Sequence, residues 1–341
     1  MPSAIKDSHK PLSDLRGRVV VLAFFLVAAS VISGIADRYY RAQKEAIEHE
    51  VRNQLLAIAD LRVVEISGWR AQMANEARVL TADRGSARSM QRVVAGAATG
   101  SELAEIHAWI DEICLRFHYA GATLTDSRGE VILSTGRFFG DAGHGRQLAE
   151  EAMRTNDIVF HDLGAASPGG AIHMGMNLPL RVAPNAAAFG ALLLSIDPSE
   201  RLYPLLRRWP LASLSGETVL VRRDGDQVLY LSDLRFQKNA ALGLRLPLSR
   251  KNTASVQAAL GATGIVEGED YRGVPVIAAV RALPNLPWFL VAKMDVEEVE
   301  APIRRRGFVL LVATVLSGSG HRRGDSVAME TAATAVLSGP V

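Results

Sequence analysis

Two stretches of this chain repeat one pattern at one spacing, and that repeat limits the fold more than any other feature. Ala122–Thr135 reads ATLTDSRGEVILST, an apolar strand, a polar turn with Gly129 and a second apolar strand; Thr218–Ser232 reads TVLVRRDGDQVLYLS, the same hairpin around Gly225. Each is followed by a closing strand, Ala191–Ile196 or Trp288–Met294, that ends at an aspartate with a glutamate three residues on, Asp197/Glu200 and Asp295/Glu298. Such a pair reads as a reciprocal helix cap. From Gly129 to Asp197 is 68 residues and from Gly225 to Asp295 is 70. Matched hairpins and matched exits predict a tandem repeat of one α+β module.

The strand–helix alternation of a doubly wound parallel sheet is missing, so antiparallel sheets with a helix on one face are expected. In the first module the pattern predicts a helix over 102–117, strands over 119–125, 130–134, 158–162, 171–181 and 189–196, and a short helix over 146–154. In the second it predicts strands over 219–223, 227–231, 264–267, 274–282 and 288–293, with a helix over 254–260. Upstream, apolar residues recur at 51, 55, 58, 66, 69, 73, 77 and 80 with Arg62 in the gap, the period of one face of a helix. This predicts a long amphipathic stalk helix in which Trp69 and Met73 are core residues. Ser86–Ser101, rich in Gly, Ala and Ser, reads as a break.

Val19–Ala36 carries no charge over 18 residues, the lower edge of what crosses a bilayer as a helix. Lys6, Lys10, Arg16 and Arg18 precede it, which predicts a cytoplasmic N-terminus (1–18), a transmembrane helix (19–36) and export of the chain beyond it. A signal peptide cleaved near Gly34-Ile35-Ala36 is the alternative. Gly307–Leu316 is a second apolar run, too short to cross alone. With the irregular tail 321–341 it reads as a partial second span over 304–320 in a truncated or frame-disrupted gene.

The net charge of +2 is too small for nucleic-acid binding by charge, and a single cysteine, Cys114, excludes disulfides and cysteine-rich metal sites. No P-loop, HExxH, GxSxG or dinucleotide glycine fingerprint occurs. His107, His118, His144, His161 and His173 show no metal-ligand spacing, so no catalytic residue, metal or cofactor is expected. Cys114 reads as a buried, inert thiol, and Asp126, Asp224 and Asp226 as turn formers. The GEDYRG run, Gly268–Gly273, could grip a small polar ligand through its arginine but reads first as a structural turn.

LYPLLRRWP (Leu202–Pro210), GETVLVRRDGDQVLYLSDLR (Gly216–Arg235), GIVEGEDYRGVPVIAAVR (Gly264–Arg281) and WFLVAKMDVEEVEAPI (Trp288–Ile303) resemble the membrane-proximal half of double Cache sensors, PAS-like extracytoplasmic regions of bacterial receptors. The resemblance covers Val19 to Phe308 and implies a stalk and linker (37–100), a membrane-distal module (101–200) and a membrane-proximal module (201–303). It implies a sensor in the inner membrane with its ligand-binding region in the periplasm. Dimerisation through the stalk helix is also expected from it. Its ligand pocket lies in the distal module, which maps by position to Arg137, His161, Asp162, His173 and Asn177. Arg137 would meet a carboxylate and Asp162 an amine. Related receptors end in a histidine kinase or diguanylate cyclase; no such output is visible in this sequence, so either a receptor that has lost its catalytic half or a stand-alone periplasmic binding module is the alternative reading.

Overall fold

The computed structural model of the chain describes residues 12–137, 142–165, 170–183 and 185–304. These fall into two units, 12–51 with 297–304, and 52–296. Of the expected cytoplasmic N-terminus (1–18), residues 1–11 lie outside the described residues, as do the partial second span beyond 304 and the irregular tail.

Helix α1 (Leu12–Ala82) includes both Val19–Ala36 and the stalk. Among the described residues no helix is long and apolar enough to cross a membrane. The stalk period holds: Val51, Leu55, Ile58, Ile66, Trp69, Met73 and Ala77 are buried and Leu80 is half-buried. Arg62 is buried at the gap, and both terminal nitrogens of its guanidinium are engaged, one by Glu65 and the other by the Arg208 carbonyl, which is how a charge is held on the apolar face.

The stretch expected to be a break, Ser86–Ser101, is helical over most of its length, and the break is confined to residues 95–99 between two helices. Asp83 caps α2 (Arg84–Val94) by accepting from the Gly85 and Ser86 amides at 3.1 Å each, and Ala87, Met90 and Val93 bury one face at three-residue spacing. Thr99 and Glu102 then form a reciprocal capping box that starts α3 (Gly100–Phe117).

Strands β1 (Gly121–Asp126) and β2 (Val131–Gly136) form the first hairpin. Asp126 Oδ1 accepts from the Arg128 and Glu130 amides at 2.8 and 2.9 Å, and Gly129 turns at φ 75°, where a glycine avoids the left-handed penalty. Helix α4 (Ala142–Thr155), β3 (Val159–Ala165), β4 (Ile172–Leu180) and β5 (Gly190–Ile196) complete an antiparallel sheet ordered β2-β1-β5-β4-β3. After a short helix α5 (Leu202–Arg207) come β6 (Glu217–Asp224), β7 (Gln227–Tyr230), β8 (Arg245–Pro247), α6 (Ala254–Ala259), β9 (Gly264–Glu269), β10 (Pro275–Ala282) and β11 (Trp288–Asp295). The second sheet runs β8-β7-β6-β11-β10-β9. Without β8, a three-residue edge strand that the sequence pattern missed, the two orders are identical, and α4 and α6 occupy the same place in each. The α+β tandem repeat is therefore present, and a last helix over 296–304 follows β11.

The two aspartates at the exits do not act alike. Asp197 closes a turn by accepting from the Ser199 amide at 2.8 Å, and α5 starts five residues later without a side-chain cap. Asp295 accepts instead from Arg272 at 2.6 Å.

Candidate functional site

Strand alternation gives each sheet two unlike faces. On the first sheet, Ala122, Leu124, Met174, Met176, Leu178, Leu180, Leu192 and Leu194 share one buried apolar face, to which Asp111 of α3 reaches through Thr135. The other face lies under α4, where Ala149 and Met153 pack on Ala191 and Leu193. Along its register sit Thr123 opposite Leu193, Leu193 opposite Asn177, Gly121 opposite Ser195, and Ser195 opposite Gly175. His161 pairs with Gly175 and Val159 with Asn177. The face is therefore built of small and polar residues around Leu193 and Val159.

Asn177 is the unusual member. It is 0% exposed, and neither its amide oxygen nor its amide nitrogen has a hydrogen-bond partner among the described residues. A buried amide left unsatisfied costs about 1–3 kcal/mol, so a protein that keeps one commonly uses it. An amide offers a donor and an acceptor side by side. Thr123 and Thr125, each 1% exposed, extend the polar strip; Thr123 shares a 3.0 Å hydroxyl bond with Ser134, and Thr125 donates to the Ala191 carbonyl at 3.2 Å.

The predicted residues divide. His161, His173 and Asn177 share the face under α4, and the His161 ring lies over Gly175, whose added Cβ would stand 3.9 Å from the His161 Cγ. Arg137 is exposed just beyond β2, its amide bonded to the Ala120 carbonyl at 2.8 Å and its backbone pressed on Gly121. Asp162, one residue from His161, points to the opposite side. It accepts from the Trp288 indole at 2.7 Å and from Arg222, both on the second sheet. Arg70 of the stalk stacks on Phe160 of the same strand, 4.3 Å from the ring centre. Asp162 thus joins the two sheets, and alternation along β3 is the reason. Thr123 and Thr125 were missed, although their alternation with Ala122 and Leu124 was the available signal.

The second sheet shows what the first lacks. Counted from the hairpin glycines and the closing aspartates, Thr123, Leu193 and Asn177 correspond to Val219, Val291 and Val280, which are paired in the same way. These valines pack with Val221, Ala278, Val266 and four residues of α6 into one apolar cluster. Ser195 and Gly121 correspond to Lys293 and Glu217. The Lys293 ammonium lies 3.0 Å from Glu217 and 2.9 Å from Asp270, all nearly inaccessible. The GEDYRG run is the turn that builds this cluster. Asp270 accepts from the Arg272 amide at 2.8 Å and from its Nε at 2.7 Å, and the Tyr271 hydroxyl donates to Glu217 at 3.1 Å. Burial pushes the Asp270 carboxyl up, but Lys293 and Arg272 outweigh it and hold it below its ordinary value. Cys114 is half-buried, and burial pushes its thiol up to about 11, which keeps it protonated.

No family model matches this sequence, and no curated protein matches it. Solved structures do match. The sensory domain of the Campylobacter jejuni chemoreceptor Tlp3 with isoleucine bound shares 10% identity at a TM-score of 0.54, over 75% of this chain and 97% of that one. The ligand-binding domain of the same chemoreceptor in complex with 4-methylisoleucine gives 11% and 0.55, over 74% and 94%. The ligand-binding domain of Mlp24 with asparagine gives 14% and 0.51, over 76% and 98%. At these identities the likeness establishes the fold. The chain shares the fold of these chemoreceptor ligand-binding domains, in line with the double Cache resemblance.

Proposed function

We propose that this chain is the ligand-sensing region of a bacterial signalling receptor and binds a small zwitterion, an amino acid or a close analogue, on the α4 face of the first sheet. The observation that carries this reading is Asn177, a fully buried amide with both polar atoms unpaired, in a register position that the second sheet fills with valine. A ligand carrying a carboxylate acceptor and an ammonium donor satisfies both atoms at once. Thr123, His161 and His173 line the same face, and Arg137 at its margin supplies a charge for the carboxylate. That Tlp3 and Mlp24 domains of this fold hold isoleucine and asparagine supports the ligand class.

The module boundaries 101–200 and 201–303 follow the two sheets in this reading. Val19–Ala36 anchors the chain in the inner membrane with both sheets in the periplasm, on the strength of its uncharged run and the basic residues before it. A second copy packs along the exposed stripe of the stalk, where Leu61, Val64 and Val79 are 46%, 69% and 72% exposed. Ligand binding shifts the position of β11 and so of helix 296–304, by no more than the ligand's differential affinity for the two positions.

A thermal-shift screen of the full chain against the twenty amino acids, small carboxylates and amines tests this. A ligand at a hundredfold excess over its dissociation constant adds about 2.7 kcal/mol of stability. An amino acid that raises the melting temperature while its amide and its deaminated analogue do not is the expected result. A panel with no response overturns the reading.

A further inference from the structure

The second sheet carries a cavity that ligand binding on the first sheet does not use. It holds about 690 Å³ between α5, the 208–216 loop, the start of β6 and residues 232–235, a volume that accepts a small organic molecule. Most charges on its wall are already engaged. Arg207 faces Asp233 at 3.8 Å, Arg235 donates to the Gly216 and Ser213 carbonyls at 2.8 and 3.2 Å, and Glu217 is held by Lys293 and Tyr271. The Ser232 hydroxyl accepts from the Leu220 amide at 3.4 Å.

Three donors are left. Thr218 is 4% exposed and its hydroxyl has no hydrogen-bond partner among the described residues. The Trp209 indole N–H is buried and has no acceptor among the described residues. The ring lies against Gly216, where an added Cβ would stand 2.4 Å from Cε2 and 2.5 Å from Nε1, so any larger residue displaces it. Arg208 has its carbonyl taken by Arg62, while its guanidinium has no hydrogen-bond or ion-pair partner among the described residues. An indole N–H, a hydroxyl and a guanidinium around one cavity call for an acceptor-rich anion, and a guanidinium holds a carboxylate by two parallel bonds.

We infer that this cavity is a second ligand site, for a small carboxylate, with Arg208 gripping the anion and Thr218 and Trp209 donating to it. The inference is independent of ligand binding on the first sheet. Calorimetric titration of the full chain with acetate, succinate and benzoate, and with acetamide, succinamide and benzamide as neutral controls, tests it. Saturable binding of at least one carboxylate and of none of the amides is expected. Arg208→Gln should weaken that binding roughly tenfold or more, and Thr218→Val several-fold, since hydrogen bonds to charged groups are the strong ones. Thr218→Val should melt no lower than the parent, because it removes an unpaired buried hydroxyl. Absence of carboxylate binding overturns the inference, as does binding that both variants leave unchanged. Binding that Asn177→Leu abolishes and Arg208→Gln spares belongs to the first sheet and overturns it too.

Discussion

The two sheets share strand order, register and covering helix, yet they treat the same face in opposite ways. Under α6, Val219, Val280 and Val291 close the second sheet with apolar packing, and about 10 Å³ remains beside Tyr230, Ser255 and Lys293. Under α4, the matching positions are Thr123, Asn177 and Leu193, and the asparagine is left unpaired. At the end of the face the contrast sharpens. Where the first sheet has Ser195 and Gly121, the second holds its own ammonium, Lys293, between Glu217 and Asp270, with Phe236 and Tyr271 rings 5.6 and 5.4 Å away. Acids and aromatic rings are what a site for an amine is made of. The second sheet fills that place from within its own chain, whereas the first carries only small residues there. Under the proposed function, one scaffold separates sensing from stability by substituting a few residues at fixed register.

The comparison breaks first at Lys293. Lys293→Met leaves Glu217 without its buried counter-charge and Asp270 with Arg272 alone and should cost about 3–5 kcal/mol in urea unfolding, whereas Ser195→Ala at the matching position should change stability by less than about 0.5 kcal/mol. Equal effects would show that the cluster is not what holds the second sheet. The same cluster sets a pH dependence. A carboxyl held low in the folded state stabilises above its unfolded value, near 4, and that contribution is lost as pH falls through the lower folded value. The urea midpoint should therefore drop as pH falls from about 5 to 3, and Asp270→Asn should drop less steeply over that range.

The hairpin glycines come next. Both have positive φ, but an added Cβ at Gly129 meets the Arg146 Cα at 2.9 Å, while at Gly225 nothing lies within 4 Å. Gly225→Ala should cost about 1 kcal/mol from the left-handed backbone alone, and Gly129→Ala about 2–3 kcal/mol, with the extra arising from contact with α4. Asn177→Leu should raise stability by about 1 kcal/mol in the absence of ligand, since it removes an unpaired amide; a large loss of stability would mean that the amide is satisfied by the fold. Smallest of all, Arg281→Ala removes a half-exposed bond to Asp60 of the stalk, 2.6 Å long, and should cost about 0.5 kcal/mol.

Much of this fold is legible in the sequence because the relevant signals are local. Asp126 and Gly129, Gly225 and the apolar period of the stalk each act within a few residues, and ten of the eleven described strands coincide with apolar runs of the sequence. The strand β8 is too short to show a period. Helix α2 was hidden because Gly85, Ser86 and Ser89 are weak helix formers at its start and it runs into the Gly- and Ala-rich stretch that follows, although Asp83 and the buried set Ala87, Met90 and Val93 mark its start and its face. The site is legible only in part. Position named Asn177, His161 and His173, but the side to which Asp162 points depends on β3 alternation and on a partner 126 residues away, Trp288. The donors of the second cavity, Arg208, Trp209 and Thr218, carry no motif; they become a set only when the 208–216 loop folds over β6.

The claim that unpaired polarity on the first sheet serves a ligand is tested most directly by titrating wild-type chain and Asn177→Leu with the amino acid that gives the largest thermal shift. The account predicts saturable heat for wild type and none for Asn177→Leu, in a variant that melts at or above the wild-type temperature. Equal affinity in the two proteins would contradict it.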